Sequence, residues 1–564
     1  MTIEFSDFSF KYASLDKPTL KNINLRIEKG QKVLIVGPSG SGKSTLGQCL
    51  NGLIPHAIKG ETSGSLSIGN RDTRSFEMHD FTLQLGTVLQ DTDSQFVGLS
   101  VGEDIAFALE NQMVSNLEMY PIVKSTASMV NLEQMLNREP SQLSGGQKQK
   151  VSLAGILVDQ VDALLFDEPL AALDPVTSKK TIEIIDDLHR TSGKTIIIIE
   201  HRLEDVLHRE IDRIILMEAG EIVADMSTDD LLCSGLLSKH GIREPLYLSA
   251  VKAAGVSPTN FNRPSKVDEL VTPQVVSKLN QWYKPVSESQ SEVRQDPLLS
   301  ITNLTYSYDD NDKVVNDVSF HVNKGEFVSI LGKNGSGKST ITKLIMGVLN
   351  QDKGSITIDG IDLATLSIFE RSEQVGVVMQ NPNHMISHHM IYDEVAFGLR
   401  NKATLSEQQI EEKVDKILDL CGLSKYKHWP IEALSYGQKK RVTIASILIL
   451  EPKLLILDEP TAGQDYNNYS SMLKFIEQLN KTLGTTVLII SHDLHLVLEY
   501  TTRSIVLADG ELIADKPMTE VFSDPKLLRV SNLATTSLYE LAKISGIEDT
   551  QGFMNFFITR ERAA

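Results

Sequence analysis

At 564 residues the chain is too long for one hydrophobic core, so several lobes are expected. Its 41% hydrophobic and 23% charged residues suit an ordinary globular protein, and its net charge of −19 disfavours a body built to coat nucleic acid. Cys49, Cys233 and Cys421 are too few and too scattered for a disulfide framework or zinc knuckles, and fit a reducing compartment. The first residues, Met1-Thr2-Ile3-Glu4, lack the basic and apolar regions of a signal peptide. No apolar run nears the roughly 18 residues of a spanning helix; the longest, Val442 to Leu450, carries Thr443 and Ser446. A cytoplasmic protein is expected, with any membrane role supplied by a partner.

The chain opens on alternating strands, Ile3-Glu4-Phe5 and Phe8-Ser9-Phe10, then Ile23 to Ile27 before a turn at Gly30. The apolar run Val33-Leu34-Ile35-Val36 leads into Gly37-Pro38-Ser39-Gly40-Ser41-Gly42-Lys43-Ser44-Thr45 and then a helix. That order is what a phosphate-binding loop requires: glycines let backbone N–H groups converge on phosphate oxygens at the positive end of the helix. Lys43 is placed to reach the β- and γ-phosphates, and Ser44 to ligate Mg²⁺. Tyr12, ending the first hairpin strand, could stack on a base or pack on the sheet.

Gly86 to Gln90 reads as a strand that closes on Gln90 and a polar stretch, Asp91 to Gln95. Residues from about 100 to 140 read as a helical, rather polar lobe. Leu143-Ser144-Gly145-Gly146-Gln147 then precedes a helix, with Ser144 positioned as its N-cap and the glycines leaving amides open to an anion. Ala163-Leu164-Leu165-Phe166 is a buried parallel strand ending at Asp167-Glu168. Asp167 there suits Mg²⁺, through water, and Glu168 suits polarisation of an attacking water. The strand Thr195 to Ile199 ends at Glu200-His201, where His201 could meet a γ-phosphate.

Every one of these features recurs. Gly332-Lys333-Asn334-Gly335-Ser336-Gly337-Lys338-Ser339-Thr340 follows Phe327 to Leu331, and Tyr308 repeats Tyr12. Lys43 and Lys338 are 295 positions apart and Gln90 and Gln380 are 290; Ser144 and Ser435, Asp167 and Asp458, and His201 and His492 are each 291. A near-constant offset means two homologous modules. The polar stretch from about Arg263 to Pro297 reads as an exposed linker. The expected division is 1–242, a linker at 243–297, 298–530, and a tail at 531–564 of one or two small helices.

These residues resemble the ATP-binding cassette (ABC) ATPases, and the resemblance covers nearly the whole chain twice. Its most specific element is Leu143-Ser144-Gly145-Gly146-Gln147 ahead of Leu165-Phe166-Asp167-Glu168. The resemblance implies an α/β fold of two tandem modules, each a P-loop RecA-like core with an antiparallel β subdomain and a helical signature subdomain, facing head to tail around ATP and Mg²⁺. One site would combine Tyr12, the loop Gly37 to Thr45, Gln90, Asp167, Glu168 and His201 with Ser435, Gly437 and Gln438 of the other module. Its counterpart would combine Tyr308, the loop Gly332 to Thr340, Gln380, Asp458, Glu459 and His492 with Ser144, Gly145, Gly146 and Gln147. Glu168, Glu459, His201, His492, Gln90 and Gln380 are implied to be catalytic. Ser44, Gln90, Asp167, Ser339, Gln380 and Asp458 are implied to contact Mg²⁺. The second signature, Leu434-Ser435-Tyr436-Gly437-Gln438, departs from the pattern at Tyr436, so the two sites need not turn over equally.

A finer resemblance is to the fused ATPases of energy-coupling factor importers. It rests on Gln95-Phe96-Val97-Gly98, Val101 to Phe107, Asn381 to Ser387, Asp393 to Leu399, Glu200 to Glu204 and Gly241 to Pro245. It implies a translocase ATPase held on the cytoplasmic face of the cell membrane by a polytopic scaffold subunit, with small substrate-capturing membrane proteins for vitamins or transition-metal ions. His384, His388 and His389 read as surface or partner contacts rather than a metal site. Two alternatives stand beside this reading: a tandem sugar-import ATPase, and a ribosome-associated ABC translation factor. The short polar linker and acidic chain disfavour the second, and retention of both Glu168 and Glu459 disfavours the first.

Overall fold

The computed structural model describes residues 1–89, 95–143, 145–158, 161–171, 173–285, 296–309, 312–402, 404–460, 464 and 466–563. The chain divides into two units, Met1–Lys278 and Leu279–Ala564. Unit 1 contains strands β1 (Ile3–Tyr12), β2 (Leu20–Ile27), β3 (Lys32–Val36), β4 (Gly60–Ile68), β5 (Arg71–Asp72), β6 (Leu85–Val88), β7 (Ala163–Asp167), β8 (Thr195–Ile199), β9 (Arg213–Glu218) and β10 (Glu221–Met226). They form a four-stranded antiparallel sheet, β2-β1-β4-β5, and a six-stranded sheet, β10-β9-β3-β8-β7-β6, parallel except for β10.

The sequence accounts for both sheets. In β1 the apolar Ile3, Phe5, Phe8 and Phe10 are buried, while Glu4 and Ser6 of the same strand are not. A register shift at Asp7, whose φ is 46°, keeps Phe5 and Phe8 on the inner side. By contrast β3 and β8 are apolar after their first residues, Lys32 and Thr195, and buried at every position, as strands covered on both faces must be. Between the two sheets lies the helix Lys43–Leu50, whose Leu46, Cys49 and Leu50 join one core with Phe5, Phe10, Ile23, Ile35, Leu165 and Ile197. Truncating a residue such as Leu46 to alanine there removes about 2–5 kcal/mol.

Unit 2 repeats the plan with β11 (Pro297–Asp309), β12 (Asp312–Asn323), β13 (Phe327–Leu331), β14 (Lys353–Ile358), β15 (Ile361–Asp362), β16 (Val375–Val378), β17 (Leu454–Asp458), β18 (Thr486–Ile490), β19 (Arg503–Ala508) and β20 (Glu511–Pro517). Its sheets run β12-β11-β14-β15 and β16-β17-β18-β13-β19-β20. The match extends to register: Val33 pairs with Arg213 as Val328 pairs with Arg503. In each unit a helical lobe interrupts the parallel sheet, with helices Val101–Asn111 and Asn116–Met129 in the first and Ile391–Lys402 and Glu407–Leu420 in the second.

The stretch expected to be an exposed linker is only partly so. Helices Leu246–Ala253, Val267–Leu270 and Pro273–Trp282 fold there, and Tyr247, Leu270, Val275 and Leu279 are buried. A polar composition hid a small set of well-spaced apolar anchors. The tail is likewise packed: in the helix Thr550–Ala563, Phe553 and Met554 are fully buried, and Phe556 lies 4.9 Å from the Trp282 ring. Among the described residues no helix is long and apolar enough to cross a membrane.

Candidate functional site

In each unit β3, β8 and β7, or β13, β18 and β17, are neighbours, so their carboxyl ends converge on one edge of the sheet. The phosphate loop leaves β3 there. Lys43 Nζ donates to the carbonyls of Gly37 at 2.8 Å and Pro38 at 3.0 Å, and Lys338 Nζ donates to Gly332 at 2.7 Å and Lys333 at 2.8 Å. Each ammonium is thus held inside the curl of its own loop. A Cβ on Gly37 would lie 2.2 Å from the Met217 carbonyl oxygen, so no other residue fits there. Gly40, at φ 78°, faces open space, leaving the loop's concave side free for a ligand. Ser44 and Ser339, the second residues of the helices that follow, are exposed.

Asp167 ends β7 with its Oδ1 buried and without a hydrogen-bond partner. Burial first, then the charges of Glu168 and Glu200, push its carboxyl up to about 6, while Lys43 and His201 pull it back. Burial also raises Asp458, against Lys338, Lys343 and Lys440. An orphaned buried carboxylate oxygen fits a hard cation. Among the described residues no cluster of three His, Cys, Asp or Glu could enclose a metal unaided, so phosphate oxygens and water would have to complete its shell.

Glu168 and Glu459 share an unusual backbone. Their φ angles are 49° and 44°, a left-handed conformation that non-glycine residues seldom adopt. Each is pinned by its N–H, Glu168 to the Ile199 carbonyl at 2.8 Å and Glu459 to the Ile490 carbonyl at 2.9 Å. The turn aims each carboxylate at the histidine ending the next strand: His201 Nε2 is 3.2 Å from Glu168 Oε1, and His492 Nε2 is 3.4 Å from Glu459 Oε1. These carboxylates remain 12% and 19% exposed, enough to meet a water. Burial is also the main force raising the Glu459 carboxyl.

The tyrosines expected to stack on a base differ. Tyr12 is half-buried, its hydroxyl 2.9 Å from Thr45 Oγ1 and donating to Gln48 Oε1 at 3.0 Å. Tyr308 is 52% exposed and its hydroxyl lies 3.4 Å from Thr340 Oγ1. Ser435 caps the helix Tyr436–Leu448, its Oγ accepting from the Gln438 N–H at 3.3 Å, while Gln438 Oε1 accepts from the Ser435 N–H at 3.0 Å. Gly145, Gly146 and Gln147 open the corresponding helix Gly145–Leu157. Gln90 and Ser144 lie outside the described residues. Gln380 is exposed just after β16, and its carbonyl accepts from the Tyr436 hydroxyl at 3.1 Å. His388 is engaged with Glu394, 3.4 Å from its Oε2.

Two supporting residues escape sequence reasoning. Glu200 is buried, and its carboxylate accepts N–H bonds from His201 at 2.8 Å, Arg202 at 3.2 Å and Leu170 at 3.1 Å. It thereby fixes both His201 and the loop after Glu168. Lys440 is fully buried and donates to the carbonyls of Glu459 at 3.4 Å and Pro460 at 2.5 Å. Burial pulls its amine down to about 8, against the charges of Glu459 and Asp458. The available signal was position: Glu200 directly follows a strand of isoleucines, and Lys440 falls on the inner face of an apolar helix.

The comparisons agree with this geometry. The model of the ABC transporter family matches residues 20–171 and 315–462, and a model described as ATP-binding cassette cobalt transporter matches 234–306. An ABC transporter ATP-binding protein of Vibrio parahaemolyticus is 70% identical over 100% of this chain and 97% of its own length. Another, from Clostridium perfringens, is 50% identical over 100% and 99%. The solved structure of cbiO1 from Clostridium perfringens, described as part of the ABC transporter complex cbiONQ, is 34% identical over 45% of this chain and 99% of that one, with a TM-score of 0.40. The chain belongs to the ABC transporter family. It is an ATP-binding subunit with two cassette modules, an ATPase coupled to transport.

Proposed function

We propose that this chain is the ATP-hydrolysing, energy-coupling subunit of an importer of the energy-coupling factor type. A vitamin or a transition-metal ion is its cargo, with cobalt favoured by the description of the model over residues 234–306. The observation that carries the catalytic part is the doubled constellation: a strained glutamate aimed at a strand-end histidine, next to a half-buried strand-end aspartate, in a unit with a phosphate loop, in both units. Two hydrolysing sites are proposed, one on each module's phosphate loop.

In each site the loop amides and Lys43 or Lys338 bind the β- and γ-phosphates, and Tyr12 or Tyr308 carries the base. Ser44 and Asp167 with Gln90, or Ser339 and Asp458 with Gln380, would hold Mg²⁺, which supplies neutralisation of charge on the phosphate oxygens. Glu168 or Glu459 orients and deprotonates the attacking water, and His201 or His492 steadies that carboxylate and the γ-phosphate. A groove in the second unit, lined by Phe369, Met385, Phe397, Ile447 and Leu450 beside the loop after Gln380, supports a helical contact from a membrane scaffold.

The test is purification of the tagged chain from gently solubilised native membranes. A co-purifying polytopic subunit with small hydrophobic proteins is expected. Ribosomal proteins without membrane partners would overturn the importer reading. For catalysis, Glu168→Gln and Glu459→Gln should each lower ATP turnover, and an unchanged rate in either variant rejects that glutamate's role.

A further inference from the structure

The departure at Tyr436 is part of a connected set of side chains. Tyr436 and Lys440 are one helical turn apart, on one face of the helix Tyr436–Leu448, with the Lys440 ammonium 5.7 Å from the centre of the Tyr436 ring. Upward, the Tyr436 hydroxyl donates to the Gln380 carbonyl at 3.1 Å. Downward, Lys440 donates to the carbonyls of Pro460 at 2.5 Å and Glu459 at 3.4 Å, and Glu459 meets His492. A lysine with no exposed surface is retained only where such acceptors receive it, and hydrogen bonds from a cation are the stronger kind.

Among the described residues, the first module shows no such path. Gly145 stands where Tyr436 stands and has no side chain to reach across. Gln149 stands where Lys440 stands; it bonds the Pro169 carbonyl and accepts from Thr181, but carries no charge.

We propose that Tyr436 and Lys440 are positioning residues particular to the second module. They join the glutamine loop at Gln380 to the backbone of Glu459 through one rigid helical turn, so that the placement of one sets the placement of the other. The inference rests on the reading of Glu459 as the residue that activates water. It adds a direction of coupling: a partner that moves the loop after Gln380 changes hydrolysis at Glu459 and not at Glu168.

The test uses the full chain in two backgrounds, Glu168→Gln, where turnover depends on Glu459, and Glu459→Gln, where it depends on Glu168. Tyr436→Phe keeps the ring and removes only the hydroxyl. It is expected to lower kcat about fivefold in the first background, the size of one net hydrogen bond, with KM for ATP within about twofold; the second background is read with Lys440→Gln, which lies outside the signature and is expected to leave it unchanged. Lys440→Gln should lower the Glu459-dependent rate at least as far, and Lys440→Arg, which keeps the charge and donors, should restore most of it. Equal losses from Lys440→Gln in both backgrounds, or no loss from either variant in the first, overturn the proposal. If Glu459→Gln in the otherwise native chain has no effect, the role of Glu459 fails, and this inference fails with it.

Discussion

The two modules have the same strand order, the same register and the same glutamate–histidine geometry, yet they support that geometry with different side chains. In the first, Glu200 gathers three backbone N–H groups behind His201; in the second, that position is Ser491, which accepts only from Asp493 at 3.1 Å. Lys32 at the start of β3 forms a buried ion pair with Asp186, whereas β13 starts with Phe327. The first module uses Gln149 behind its glutamate, and the second uses Lys440. The residues at the strand ends are the ones the two modules share, as the proposed chemistry would require of them. What lies behind them has only to satisfy buried polar groups and fill space, and several solutions do so.

The comparison can be broken most sharply by joining Glu168→Gln with Glu459→Gln, which should reduce steady-state ATP turnover by about 10²-fold or more. The single variants should give unequal residual rates, since the supports differ; identical residual rates would count against functional asymmetry. Next in size, Asp186→Ala should lower stability in chemical denaturation by about 3–5 kcal/mol by stranding Lys32 in the core. Replacing both partners with apolar residues, as β13 already does at Phe327, should be close to neutral.

Glu200→Ala should remove about 1–3 kcal/mol by orphaning three buried N–H groups, with Ser491→Ala smaller, both read from the shift in denaturation midpoint. A pH slope completes the comparison. Lys440 titrates at about 8 in the folded chain against 10.5 as a free side chain, so between these values the unfolded chain holds more protons. Its contribution is unfavourable below about pH 8 and fades as pH rises through that window. Thermal melts should therefore show the native chain gaining on Lys440→Gln between about pH 8 and 10, and a constant difference would reject the buried charge.

Much of this was legible beforehand because the motifs are local. A phosphate loop is a contiguous run between a strand and a helix, and Asp167-Glu168 announces itself by ending an apolar strand. The stretch read as an exposed linker is only partly so because burial there depends on a few residues, such as Leu270 and Val275. Glu200 and Lys440 were passed over because a single polar residue beside an apolar run does not say which backbone groups it will meet.

The sequence by itself determined the duplication and the family, since repeat offset and motif order are properties of the chain alone. Only the tertiary structure decided that Glu168 and Glu459 take left-handed turns toward His201 and His492, that Tyr436 reaches Gln380, and that the two modules are braced differently. Those outcomes depend on which strand ends come together in space. That follows from how parallel strands order themselves in a sheet, not from their order along the chain.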